Sequence, residues 1–142
     1  MKPCIRYLAG YFDGEGSIIF TKKLCLELCV SSCNPRGVKL LFTAFGGKVS
    51  KMEQVAKGVV GRPYFKWRIY GQGARTALRR LYPHLSEKQK QAQIALDCFK
   101  CGDAASRRET YAQLKALKRI HYVGAVTHKH KHKHRNENNT TN

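Results

Sequence analysis

Leu8-Ala9-Gly10-Tyr11-Phe12-Asp13-Gly14-Glu15-Gly16 is the stretch on which the reading of this chain turns. Ile5, Leu8 and Phe12 recur at helical spacing, so residues 4 to 15 are predicted to form a short helix with Gly16 as its stop. Gly10 and Gly14 fall four residues apart on one side of it. Small residues at that spacing let a second backbone approach closely, so this face suits tight helix–helix contact. Glu15 then closes the helix against the negative end of the helix dipole, which costs several tenths of a kcal/mol (about 0.3–1). A second copy of the helix would bring two such carboxylates together, an arrangement that makes sense around a cation. Hard ions such as Mg²⁺ take one or two carboxylates together with water and phosphate oxygens.

Working outward, Ser17–Lys23 and Leu24–Ser31 are predicted as two strands. In the second, Leu24, Leu26, Leu28 and Val30 alternate with Cys25, Glu27, Cys29 and Ser31. Asn34-Pro35 opens a helix over 36–45, closed by Gly46-Gly47. Lys48–Met52 and Tyr64–Tyr70 form a second strand pair joined by a glycine-containing loop. In the latter, Phe65, Trp67 and Ile69 alternate with Lys66, Arg68 and Tyr70, which marks Phe65 and Trp67 as core. A third helix runs from Gly73 to Leu81, where Pro83 ends it. Ser86, with Gln89 three residues on, caps a fourth that reaches Cys98, and Gly102 breaks it. A fifth runs from Ser106 or Arg107 to Tyr122. The expected fold is therefore α+β, ordered α-β-β-α-β-β-α-α-α, with one four-stranded antiparallel sheet. Lys23, Lys48, Lys66 and Arg68 project from the side of that sheet opposite the apolar residues, as a surface lying in the DNA major groove would require.

The composition supports a folded, nucleic-acid-binding protein. Lys and Arg number 27 against 9 Asp and Glu, a formal charge of +18 over 142 residues, while 42% of residues are hydrophobic. That core content excludes a disordered basic arm. Thr127–Asn142 carries four cations and Glu137, net +3, so the first 126 residues still hold +15. Residues 1–124 are expected to form a single domain. Residues 125–142, with His128, His130, His132 and His134 alternating with lysines, are expected to be a flexible basic tail. No run approaches the ~20 apolar residues of a membrane-spanning helix, so no membrane partner is expected. Met1–Arg6 lacks the apolar stretch of a signal peptide, which points to an intracellular protein, in a prokaryotic cytoplasm or an organelle. The six cysteines are then expected as free thiols. Cys98 and Cys101 have zinc-like spacing, but no second ligand pair follows in the folded region.

The nine residues at 8–16 resemble the name motif of the LAGLIDADG homing endonucleases in their single-motif form. Tyr11-Phe12 stand at the two variable apolar positions and Gly14-Glu15 replace Ala-Asp. Gly16-Ser17-Ile18-Ile19 resembles the family's residues directly after its motif, and Lys88-Gln89-Lys90-Gln91-Ala92 resembles a later family stretch. The likeness extends over residues 5–100 in the same order of elements.

The resemblance implies a homodimer whose motif helices form the two-fold interface, with Ala9, Gly10, Asp13 and Gly14 on it. Each subunit's sheet would follow the major groove over half of a long, roughly palindromic DNA site. It also implies a double-strand break with short 3′ overhangs, dependent on Mg²⁺ with Mn²⁺ as a substitute. Glu15 and the Gly14 carbonyl would hold the metal, Lys88 would act near the activated water, and Arg36 and Ser32 would complete the catalytic set. Base readout would fall to Ser17, Ile19, Thr21, Lys23, Cys25, Glu27, Cys29, Lys48, Ser50, Lys66 and Arg68.

Two departures stand out. Ser32 occupies a position where the family often has a water-ordering Gln, and it is shorter by two bonds. The turn near Lys23-Leu24 is almost absent, which implies a smaller outer footprint. Glu in place of Asp at position 15 is common in the family. An intron RNA maturase on the same fold is the alternative, with intron RNA as its partner, and a transcriptional regulator on a decayed endonuclease scaffold is a third reading. Retention of Glu15 and Lys88 favours the nuclease over both.

Overall fold

A computed structural model describes residues 2–126 apart from Lys22 and Gly102, without the side chains of 99–101 and 119–126. The expected break at Gly102 and the His/Lys tail lie outside the described residues.

Helix α1 (Ile5–Glu15) leads directly into strand β1 (Gly16–Phe20), which pairs with β2 (Leu26–Ser32). Helix α2 (Pro35–Phe45) starts where the Asn34 side chain accepts the Arg36 amide at 3.0 Å, with Pro35 in the first turn. It ends at Gly46 and Gly47, both at positive φ (76° and 88°). A side chain at Gly47 would run into the Arg68 carbonyl, so the chain can re-enter the sheet this closely only at a glycine. Strand β3 (Lys48–Met52), the small hairpin β4 (Val55–Ala56) and β5 (Val59–Val60), and β6 (Tyr64–Tyr70) come next. Helices α3 (Gly71–Leu81), α4 (Gln89–Cys101) and α5 (Ala104–Val126) complete the chain, with one turn of 3₁₀ helix at Tyr82–His84.

The four-stranded sheet is antiparallel throughout, as the sequence patterning predicts, and its strands run in the order β1-β2-β6-β3. Its register stacks Ile18, Leu28 and Ile69 in one cross-strand row and Val30, Trp67 and Val49 in another, all toward the core. Leu8 and Phe12 of α1, Val38 and Leu41 of α2, and Ala77, Leu78 and Leu81 of α3 cover this face and are fully buried. Each large side chain among them contributes about 1.5–3 kcal/mol relative to exposure. Trp67 is fully buried, and its Nε1 donates to the Gly46 carbonyl at 2.7 Å, pinning the end of α2 to the central strand.

Several boundaries differ from expectation. The first two strands stop at Phe20 and resume at Leu26, leaving Thr21–Cys25 as a tight connection. In it the Thr21 amide donates to the Cys25 carbonyl at 2.9 Å, the Leu24 amide donates to the Thr21 carbonyl at 2.8 Å, and Leu24 sits at φ 59°. The expected loop between the second pair of strands folds into the β4–β5 hairpin. Its two central residues, Lys57 and Gly58, both have positive φ, the mark of a type I′ turn. Helix α3 starts two residues earlier than expected, and α5 extends further at both ends. Helix α4 begins at Gln89, three residues after Ser86, and the amides of Ser86, Glu87 and Lys88 that lead into it are accepted by Asp13.

Candidate active site and nucleic-acid interface

Asp13 and Glu15 lie two residues apart and have opposite surroundings. One Asp13 carboxylate oxygen accepts the amides of Ser86 (2.6 Å) and Glu87 (3.2 Å), and the other accepts the amide of Lys88 (2.9 Å). The Lys88 ammonium turns back and donates to the Asp13 backbone carbonyl. An anion beneath the amides of the turn that leads into α4 satisfies their hydrogen-bonding need and lies near the positive end of the helix dipole. Asp13 thereby joins the end of α1 to the start of α4 and holds Lys88 beside Gly14 and Glu15. Glu15 is exposed, and its carboxylate makes no hydrogen bond or ion pair among the described residues. No basic residue stands in the last turn of α1 to offset it. The anion is placed where the helix disfavours it and left free to coordinate.

Glu15 borders an open depression also lined by Ser31, Ser32, Cys33, Gln54 and Tyr64. The Ser32 hydroxyl accepts the Asn34 amide at 3.1 Å and so is partly committed to the turn before α2. Arg36 is exposed in the first turn of α2 and does not line the depression. Sequence reasoning omitted Gln54 and Tyr64. They belong to the β3–β4 connection and the start of β6, and only the sheet register brings them to Glu15. Among the described residues, no group of three or more His, Cys, Asp and Glu side chains converges on one point. One chain thus offers a single free carboxylate with an exposed Gly14 beside it, a donor set that fits Mg²⁺ completed by phosphate oxygens, water and a second copy.

Register places Ser17, Cys29, Arg68 and Lys48 in one row across the outer face of the sheet. Ser31, Lys66 and Ser50 form the adjoining row, nearer Glu15. Arg68 Nε lies 3.7 Å from a carboxylate oxygen of Glu27, whose side chain is only 13% exposed, and the outer guanidinium nitrogens remain available to a ligand. Thr21, Lys23 and Cys25 sit in the hairpin connection rather than on strands.

Two expected base-reading residues are less open than the alternation suggested. Ile19 lies in a groove with Tyr111, Leu114, Lys115 and Lys118 of α5, because that helix rests against the β1 edge. Cys29 is only 8% exposed. Burial raises its thiol pKa, and Glu27 acts in the same sense, while Lys66, Arg68 and Lys118 oppose. Lys118, which sequence reasoning did not single out, extends the basic face beyond the sheet. Its ammonium is held below the usual lysine range by burial and by Lys88, against the opposing influence of Cys29 and Glu27.

The outer side of α1 presents Arg6, Tyr7, Gly10 and Gly14, all exposed, and a side chain at either glycine would meet nothing within 4 Å. The Tyr7 and Tyr11 rings stack at 6.4 Å, and Tyr11 packs over Gly37 of α2. Ala9, expected on this face, is instead fully buried in the chain's own core, because it lies on the same side of the helix as Leu8 and Phe12. The Asp13 carboxylate is likewise turned toward α4 of its own chain.

No protein-family model matches the sequence, and no curated protein matches it. Among solved structures, the fold is that of a homing endonuclease: five helices arranged on a four-stranded antiparallel sheet. One similar structure is that of the homing endonuclease I-CvuI in complex with its target (Sro1.3) in the presence of 2 mM Ca. The TM-score is 0.58 at 21% identity, over 80% of this chain and 80% of that one. A second I-CvuI structure, with the I-CreI target C1221 and 2 mM Mg and its DNA not cleaved, gives a TM-score of 0.51 at 18% identity. It covers 78% of this chain and 74% of that chain.

Proposed function

We propose that the chain is a LAGLIDADG-type homing endonuclease that acts as a homodimer on a long, roughly palindromic DNA site and breaks both strands in a Mg²⁺-dependent reaction. The carrying observation is that Asp13 is fully engaged in holding Lys88, while Glu15 beside it is left unpaired at the border of a basic sheet face. The open α1 face with Gly10 and Gly14 supports pairing of two copies, which would bring two Glu15 side chains together. Glu15 and the Gly14 carbonyl are the metal ligands of this reading. Mg²⁺, or Mn²⁺ in its place, supplies Lewis-acid stabilisation and lowers the pKa of water when bound. Lys88 places a cation where negative charge develops on the phosphate under attack. Ser32 borders that region, Arg36 would reach the phosphate backbone from the start of α2, and the rows through Arg68 and Lys66 would lie against the major groove. The site of action is the cell interior, where DNA is accessible.

The test presents purified protein with a pool of randomised long duplexes and Mg²⁺ and sequences the ends produced, with Glu15→Gln in parallel. Discrete ends around a two-fold symmetric consensus, absent in the variant, are the expected outcome. No cleavage, with wild type and variant binding nucleic acid alike, overturns the endonuclease reading and turns attention to intron RNA.

A further inference from the structure

Among the described residues, Gln54 is the one neutral amide bordering the Glu15 depression, and it arrives from the β3–β4 connection rather than from the helical motif or the Lys88 stretch. Its backbone is fixed, since the Gln54 carbonyl accepts the Gly61 amide at 2.7 Å across the base of the β4–β5 hairpin. Its side chain is exposed and lies along the hairpin beside Gly61. No protein hydrogen bond engages the side-chain amide among the described residues, so its donors are available to a ligand in the depression. Ser31, Ser32 and Tyr64 bring hydroxyls to the same depression, each with a single O–H, whereas the Gln54 amide offers two N–H donors and Glu15 can only accept when ionised.

We propose that Gln54 binds the DNA backbone at the cleavage site, its side-chain N–H donating to a non-bridging oxygen of the phosphate that Glu15 faces. The inference rests on the endonuclease reading above and adds a substrate-binding residue to it. Lys88 approaches that phosphate from the α4 side, and Gln54 from the hairpin side. A neutral donor suits this position for an electrostatic reason. A lysine here would pair with Glu15 and withdraw the carboxylate from metal binding, whereas an amide holds the phosphate and leaves the Glu15 carboxylate free.

The experiment uses the full chain and the duplex recovered from the randomised pool, with wild type, Glu15→Gln, Gln54→Ala and Gln54→Lys. Single-turnover cleavage is measured in Mg²⁺ and duplex affinity in Ca²⁺. Gln54→Ala is expected to slow cleavage about 10²- to 10³-fold, the scale of one lost donor to a developing anion. Its thermal midpoint should stay at the wild-type value, because the side-chain amide has no protein partner. Gln54→Lys is the discriminating variant. A residue on a generally basic surface would gain both affinity and rate from an added cation, whereas a neutral phosphate donor beside Glu15 predicts tighter binding with slower cleavage and a higher Mg²⁺ requirement. Wild-type rates in Gln54→Ala, or faster cleavage in Gln54→Lys, overturn the role of Gln54 while wild type still cuts. A wild type that cuts nothing removes the endonuclease reading itself, and this inference with it.

Discussion

Asp13→Ala removes the acceptor that three consecutive amides share, and its consequences divide between stability and chemistry in a way the geometry fixes. Losing a capping carboxylate costs about 0.5–2 kcal/mol in other helices. Here Ser86 and Glu87 are exposed, so water can satisfy their amides, and the loss belongs at about 1–2 kcal/mol rather than at the sum of three hydrogen bonds. For a chain of this size that lowers Tm by about 3–6 °C per kcal/mol. The same substitution frees the segment that carries Lys88, and misplacing a reacting group by an ångström costs about 10²-fold in rate. Asp13→Asn is the sharper control. Its single carbonyl oxygen can face Ser86 and Glu87, but its NH₂ then opposes the Lys88 amide, so it should recover part of the stability and little of the rate. Denaturant melts measure the first effect, and single-turnover cleavage at a temperature where every variant is folded measures the second. In the cycle with Lys88→Ala, the stability losses should be nearly those of Asp13→Ala alone, and the rate losses should fall well short of multiplicative. Fully multiplicative rate losses, or an Asp13→Ala protein with wild-type stability, would refute the claim that Asp13 acts by placing Lys88.

Glu15→Gln should abolish cleavage yet stabilise the fold by about 0.3–1 kcal/mol at low salt, because it removes an anion from the C-terminal end of α1. Denaturant midpoints compared at low and high ionic strength check this, and a destabilised variant would mean that Glu15 has a structural partner. Leu24→Gly relieves a left-handed residue in the β1–β2 connection, a gain of about 1–2 kcal/mol less the 0.5–1 kcal/mol of added unfolded-state entropy. The expected net is a small rise in Tm, and a fall would show that Leu24 packing outweighs its backbone conformation. Thiol labelling followed by mass spectrometry should modify Cys4 ahead of Cys29. Cys4 is exposed at the start of α1, where backbone N–H groups of Tyr7 and Arg6 lower its pKa, whereas burial raises that of Cys29. The raised Cys29 pKa also fixes a sign: the folded state favours the protonated thiol, so stability is kept below the ordinary thiol pKa of 9.0 and declines as pH climbs through the higher native value. Cys29→Ala should flatten that alkaline decline, and an unchanged pH profile would assign it to another group.

Periodicity is legible in one dimension because it depends on neighbours in sequence. Leu26, Leu28 and Val30, against Phe65, Trp67 and Ile69, identify the two central strands, and Asn34-Pro35 with Gly46-Gly47 bracket α2. The β4–β5 hairpin escaped because Val55–Val60 has no buried face to produce an alternation, leaving Lys57-Gly58 as its sole local signal. Ala9 was misplaced for a related reason: a glycine stripe marks one side of α1 but does not say how far the core reaches around the helix.

The site divides along the same line. Spacing can nominate two acids at the end of a helix, but it cannot assign their roles, since these depend on what the fold brings near each of them. Asp13 meets three amides and a lysine from a segment more than 70 residues later, so its charge is already spent on architecture. Glu15, one helical step further, points past the end of α1 toward the strand edge, where Ser31, Gln54 and Tyr64 leave open space. A carboxylate that the fold itself uses is fixed by hydrogen-bond donors. One kept for a ligand is left without them and at a place where the helix resists its charge. By that criterion Glu15 is the acid to mutate for function, and Asp13 the acid to mutate for the geometry that function needs.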